Sequence, residues 1–262
     1  STATLQNGAT LGLEAGISLS NTIVLDSGTE DLLVASGTAT LSGIISGSGY
    51  TNKQGDGTLA LTGANTFAGI NVVAGELFAG NASALGTGTT TLSNGSTLGL
   101  QGNVTVSNEI AFESGSGNLS VQTGTSTLSG VISGPGYVTK TGGGTLSLSG
   151  DNTFEGMNIE EGTLFAASAE ALGLGTTTIS GGATLGLQND ITVANEIVLD
   201  SENEQLSVTS GTSTLTGIIS GPGAVTKVGN GILSLTAENT FTGLNIEDGY
   251  ILAEAGNVVG SG

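Results

Sequence analysis

The chain has 262 residues, 47 of them glycine, with no histidine or cysteine and a formal net charge of −19. Three lysines and no arginine cannot neutralise a run of phosphates, which excludes nucleic acid as a partner and disfavours an anionic membrane surface. Without cysteine or histidine, neither disulfides nor thiolate metal sites hold the fold, and Ser-His-Asp and Cys-His nucleophile systems cannot be assembled.

Low charge with apolar residues alternating against small hydroxyl residues argues against disorder, and the abundance of glycine and β-branched residues argues against helix. No run reaches the ~20 apolar residues that span a bilayer as a helix, so no membrane insertion by this segment is expected. The chain is three copies of one 87-residue unit without insertion or deletion, 1–87, 88–174 and 175–261. Gly47-Ser48-Gly49-Tyr50 returns as Gly134-Pro135-Gly136-Tyr137 and Gly221-Pro222-Gly223-Ala224, and Asn65-Thr66-Phe67 returns as Asn152-Thr153-Phe154 and Asn239-Thr240-Phe241. Such regularity suits a solenoid, whose units must stack with one shape. A single β-solenoid domain over 1–262 is therefore expected. The opening Ser1-Thr2-Ala3-Thr4 has no basic or apolar secretory stretch, and Ser1, Gly88, Gly175 and Gly262 share one repeat position. The sequence reads as an excerpt of a longer array, with no polar terminal caps evident.

Within a unit, Thr58-Leu59-Ala60-Leu61-Thr62 and its copy Thr145-Leu146-Ser147-Leu148-Ser149 show the two-residue period of a strand with one buried face. Further strands are predicted at Glu76-Leu77-Phe78, Thr97-Leu98-Gly99-Leu100 and Leu119-Ser120-Val121. Leu59, Leu77, Leu98 and Leu119 follow one another at nearly even intervals, and a longer interval leads on to Leu146 in the next unit. Intervals of this size fit one circuit of a three-sided coil better than a hairpin, whose loop would be far shorter. The fold predicted is all-β, a parallel β-helix with four rungs per repeat and about twelve in all, roughly 55–60 Å long at ~4.8 Å per rung. Gly55, Gly57, Gly69 and Gly75, with their copies, are expected to supply positive φ at corners. The competing layout is a meander or antiparallel sandwich. It lacks most of the two-residue turns it needs, although Asn7-Gly8 and Asn94-Gly95 are of that kind.

The segment Gly144-Thr145-Leu146-Ser147-Leu148-Ser149-Gly150-Asp151-Asn152-Thr153-Phe154-Glu155-Gly156 resembles the autotransporter-associated β-strand repeat. Glu161-Gly162-Thr163-Leu164, Ala169-Glu170-Ala171-Leu172-Gly173-Leu174-Gly175 and Gly181-Gly182-Ala183-Thr184-Leu185 extend the likeness to about half of each unit. The third copy departs from it with Ile232 for Thr and Ala237 for Gly. The resemblance implies a right-handed turn of the β-helix and a place in the passenger of a type V secreted protein. Such a passenger is a bacterial cell-surface stalk, tethered to the outer membrane by a barrel that is not in this chain. The absence of cysteine agrees, since a disulfide closed in the periplasm would obstruct threading through a narrow pore. The expected role is thus structural and non-enzymatic, projecting an adhesive or effector region and aiding export by rung-wise folding. The alternative is that the array is itself adhesive or fibre-forming, with host or neighbouring-cell surfaces, or like chains end to end, as partners.

The three positive charges, Lys53, Lys140 and Lys227, fall at one repeat position. They read either as cationic contacts for an acidic glycan or as solvated charges that discourage sideways pairing. Asn21, Asn65 and Asn71, with their copies, are expected to form corners in the left-handed region. The acids look outward and free to drift: Glu155 is matched by Ala68 and Thr242, and Glu113 by Asp26 and Asp200. Glu160-Glu161 and Glu247-Asp248 coincide, with Asp151 or Glu155 nearby, and allow a weak Ca²⁺ contact. The carboxylates Glu202 and Glu204 are the candidate pair for hydrolysis, yet nothing singles them out as catalytic. No catalytic, cofactor or metal residue is therefore assigned. Thr38-Ala39-Thr40, Thr125-Ser126-Thr127 and Thr212-Ser213-Thr214, with Thr89-Thr90-Thr91 and Thr176-Thr177-Thr178, have the form of an ice-binding row but recur once per unit. Tyr50, Tyr137 and Tyr250 are the outward aromatic candidates for a glycan.

Overall fold

A computed structural model describes residues 1–254 and 256 apart from 94, 114, 189 and 202. Asn94, Glu202 and Gly262, singled out above, lie outside the described residues. Among the described residues every regular element is a strand, and no helix is long and apolar enough to cross a membrane. The chain divides into two compact units, Ser1–Ser120 with Ser126–Gly136, and Val121–Thr125 with Tyr137–Gly262.

In the second unit the chain winds over three faces. One face stacks Tyr137–Thr141, Gly156–Ile159, Thr177–Ile179, Ile197–Leu199 and Ile219–Ser220. The next includes Thr163–Ala166, Thr184–Leu187, Glu204–Val208, Ala224–Val228 and Gly243–Ile246, and the third has Thr192–Val193, Thr212–Leu215, Ile232–Leu235 and Tyr250–Ala253. Partners are parallel and one circuit of the chain apart, as in Leu164↔Leu185↔Leu206 and Met157↔Thr177↔Ile197. The first unit winds likewise, with Leu59↔Leu77↔Leu98 on one face and Val72↔Leu92↔Phe112 on another. This is a parallel β-solenoid, as the two-residue alternation and the even leucine intervals predict, and it excludes the antiparallel layout.

Alternation decides which side chains are inside. Thr145–Leu148 buries Leu146 and Leu148 completely, and a buried aliphatic side chain is worth roughly 1.5–3 kcal/mol. Equivalent residues stack on one another coil after coil, so the core is a set of Leu, Ile, Val and Phe columns.

The repeat does not hold a whole number of coils. From Val138 the ladder climbs four coils, through Met157, Thr177 and Ile197 to the level of Ile219. The repeat equivalent of Val138 is Val225, which lies further along the chain than Ile219 and in another sheet. Each repeat thus advances four coils and about one face. In the first unit the same offset puts Thr22–Leu25 and its copy Ile110–Phe112 in different sheets. Residues repeated along the sequence therefore do not form one row.

The corner glycines divide into two kinds. Gly55 and Gly75 have φ of 81° and 70°, as expected of turns closed to side chains. Gly57 and Gly69 do not have positive φ and serve close approach instead: a Cβ on Gly57 would lie 2.7 Å from Val34 Cγ1, and one on Gly69 would lie 2.5 Å from Tyr50 Cε1.

Candidate functional site: a caged ammonium in each repeat

The lysines are neither solvated nor available to a glycan. Lys53, Lys140 and Lys227 are all 0 % exposed, and each takes a place in an aliphatic column. Lys53 stacks between Leu32 and Val72, and Lys227 between Leu206 and Ile246. Strand period explains this: in Val138-Thr139-Lys140 the lysine lies two positions from a buried valine and points the same way.

A buried ammonium must have its protons accepted, and backbone carbonyls do so. Lys53 Nζ donates to Gly55 O at 2.5 Å and to Ala74 O, one coil on, at 2.8 Å. Lys140 Nζ donates to Thr141 O, Gly142 O and Glu161 O at 2.9, 2.6 and 2.9 Å. Lys227 Nζ donates to Val228 O, Gly229 O and Asp248 O at 2.9, 2.7 and 3.2 Å. Each nest therefore joins the lysine's own turn, opened by a positive-φ glycine (Gly55, Gly142 or Gly229), to the turn one coil later. Burial pushes the Lys53 ammonium down to about 8 against the opposing fields of Asp56 and Glu76. It pushes Lys140 down to about 8 against Glu161, and lowers Lys227 against Asp248.

Shortly after each lysine an asparagine bridges neighbouring coils in turn. Asn65 is 2 % exposed; its Oδ1 accepts from Ile45 N at 2.8 Å, and its Nδ2 donates to Ala84 O at 2.7 Å. Asn152 Nδ2 donates to Ala171 O at 2.7 Å, and Asn239 Oδ1 accepts from Ile219 N at 2.8 Å. Asn195 Nδ2, a copy of Asn21, donates to Gly173 O and Gly175 O at 3.0 and 2.7 Å. Asn71 continues a polar ladder, donating to Asn52 Oδ1, while Asn52 donates to Asp31 Oδ1. The asparagines expected to turn corners therefore bridge coils instead. Among the described residues the left-handed non-glycine positions are Asn7, Asn103, Asp190 and Asn203.

The remaining candidates separate cleanly. Asp26, Glu113, Asp151, Glu155, Glu160, Glu161, Asp200, Glu247 and Asp248 are exposed, and Glu161 Oε2 accepts from Gly142 N at 3.0 Å. The described residues contain no group of three or more acids, histidines or cysteines able to hold a metal. Two acids depart from the outward pattern: Glu30 and its copy Glu204 are 0 % exposed. Burial, and then the charge of Asp26, raise the pKa of Glu30. Glu204 Oε1 accepts from Ser201 N at 3.1 Å and from Ser201 Oγ. The middle repeat has Gly117 at that position, and the ring of Phe112 occupies the space. Within the threonine rows, Thr38 faces Thr58 but Thr40 stands between Ser18 and Ala60, while Thr90 and Thr177 are buried. Tyr50, Tyr137 and Tyr250 are exposed at 43, 37 and 70 %, the first two with their rings over Gly69 and Gly156.

The Passenger-associated-transport-repeat family matches residues 52–77, 138–164 and 225–253, together under a third of the chain. Each matched segment includes the bridging asparagine and the turn that closes the cage, and begins beside the caged lysine. Over 87 residues, 32 % of its length, the chain is 39 % identical to Adhesin BmaC autotransporter of Brucella suis biovar 1 (strain 1330). The chain spans about 2 % of the length of that curated relative. No solved structure matches it. The likeness read from the leucine, glycine and asparagine spacing is thereby borne out: each of the three sequence units of this chain contains one match to the passenger-associated-transport repeat.

Proposed function

We propose that this chain is a stalk segment of a bacterial surface passenger, a spacer that projects another region of a longer protein and is tethered to the outer membrane elsewhere in that protein. One observation carries the reading. A lysine, an asparagine and a corner glycine that return in all three repeats are spent inside the coil on joining one turn to the next, whereas outward acids such as Glu155, matched by Ala68 and Thr242, change from repeat to repeat. A binding or catalytic array would repeat its outward chemistry on successive coils, and here the outward residues that do return, such as Thr38, Thr125 and Thr212, recur only once per repeat. The match to a passenger repeat and the relative's name, an autotransporter adhesin, support the cellular setting.

Mechanically, backbone hydrogen bonds between parallel coils run along the solenoid axis, so stretching a unit must break many of them together. Export aided by rung-wise folding belongs to the same proposal. Deleting one complete repeat from the parent protein, with surface exposure and export rate measured, tests it. A spacer shortened by about 20 Å at ~4.8 Å per coil, still folded and still displayed, is the expected result, and slowed export would support the folding role. Unchanged export kinetics would remove that role, and loss of cell adhesion with display intact would favour the adhesive alternative.

A further inference from the structure

The solenoid core poses a pairing problem that its aliphatic residues do not solve. Most column residues are Leu, Ile, Val and Phe, as in Leu146↔Leu164↔Leu185↔Leu206, with a few small hydroxyl residues such as Thr90 and Thr177 among them. Sliding one strand by two positions along its neighbour keeps every inward side chain inward, so apolar burial alone specifies register weakly. Tandem repeats add further near-equivalent partners. The ammonium is different. Its acceptors are carbonyls at fixed places: those of its own positive-φ turn at +1 or +2, and one at +21 on the next coil. A two-position slip moves the +21 carbonyl away and leaves a buried charge short of an acceptor in an aliphatic column.

We propose that Lys53, Lys140 and Lys227 are register keys. Each admits one alignment of its coil on the next and penalises the slipped ones. Apolar columns supply cohesion, and the lysine supplies choice, as a buried polar group does when it selects one packing among near-equals. One key per four coils suffices because strands between keys are continuous with keyed ones. The inference rests on the fold and on the three cages, and it stands apart from the stalk reading.

The chain has no cysteine, so an introduced pair reports register cleanly. Thr139 and Asn158 are direct partners beside Lys140, and T139C/N158C places two thiols within disulfide reach across parallel strands. In the full chain, unfolded in urea and refolded before oxidation, K140M is compared with the lysine parent, and K53M/K140M/K227M with both. The expected result is native strand signal and an unchanged or higher urea midpoint, with the 139–158 disulfide yield falling at least threefold and slipped forms appearing as extra proteolytic fragments. K140M keeps two cages and guards against collapse of the triple variant. Full disulfide yield in folded K140M would overturn the proposal. So would a K140M chain that loses stability while its folded fraction remains correctly paired, since the lysine would then be a source of cohesion.

Discussion

Replacing Asn65 by alanine removes both of its bridges and leaves Ile45 N–H and Ala84 C=O buried without partners. The site is 2 % exposed, so water does not readily replace the amide. With about 1–3 kcal/mol for each of the two orphaned buried groups, the expected cost is about 2–6 kcal/mol. Because a repeat protein need not unfold in one step, the assay should be local: native-state hydrogen exchange at the Ile45 amide, supported by the urea midpoint. Asn65→Asp sharpens the test. The carboxylate still accepts from Ile45 N but opposes Ala84 O, an acceptor meeting an acceptor, which raises its folded pKa above the ordinary ~3.9. Its stability should therefore be greatest below pH ~4, where the protonated acid donates to Ala84 O, and should fall as pH rises through the folded value. A change in N65A below about 0.5 kcal/mol, the range of ordinary surface substitutions, with Ile45 exchange unaltered, would refute the bridging role.

Further outcomes follow from single contacts. Gly8→Ala should cost only the backbone strain of φ 74°, since nothing lies within 4 Å of its added Cβ, or about 1 kcal/mol. Gly75→Ala meets Gly55 O and Gly57 O at 2.6 Å and should cost at least about 2 kcal/mol more by urea unfolding. Since folding lowers the pKa of Lys53 and Lys140 to about 8, the unfolded chain binds more protons between pH ~8 and 10.5, and the lowered Lys227 acts in the same direction. Stability should rise with pH across that window, by about 1 kcal/mol for each of Lys53 and Lys140 after allowance for screening by nearby acids; a fall would contradict the burial. Gly117→Glu should clash with the Phe112 ring, whereas F112L/G117E restores the pairing of the outer repeats, Leu25 with Glu30 and Leu199 with Glu204. A double-mutant coupling of at least about 1 kcal/mol is expected.

The fold was legible because alternation and coil length are local signals. Thr145-Leu146-Ser147-Leu148 announces its buried face, and the step from Leu59 to Leu77 to Leu98 is the true ladder. Leucine counting failed where a column contains something else. The longer interval from Leu119 to Leu146 is not a coil: Leu206, the counterpart of Leu119, pairs with Lys227 on the next coil. The lysines were misread because isolated ammonium groups rarely leave water. The correcting signal was present in Val138-Thr139-Lys140 and Val225-Thr226-Lys227, where the charge keeps step with a buried valine. The asparagines were assigned to corners because their partners lie on neighbouring coils, beyond any local pattern. Glu30 and Glu204 were hidden by their replacement with Gly117 in the middle repeat. That replacement becomes intelligible only with the ring of Phe112 in place.

The most direct test of the caged lysines uses the chain's own amines. Lysine acetylation at neutral pH, read by mass spectrometry at Lys53, Lys140 and Lys227, should be at least tenfold slower in the native chain than in urea-unfolded chain. Native lysines that react as fast as unfolded ones would place the ammonium groups in solvent and contradict the inward columns.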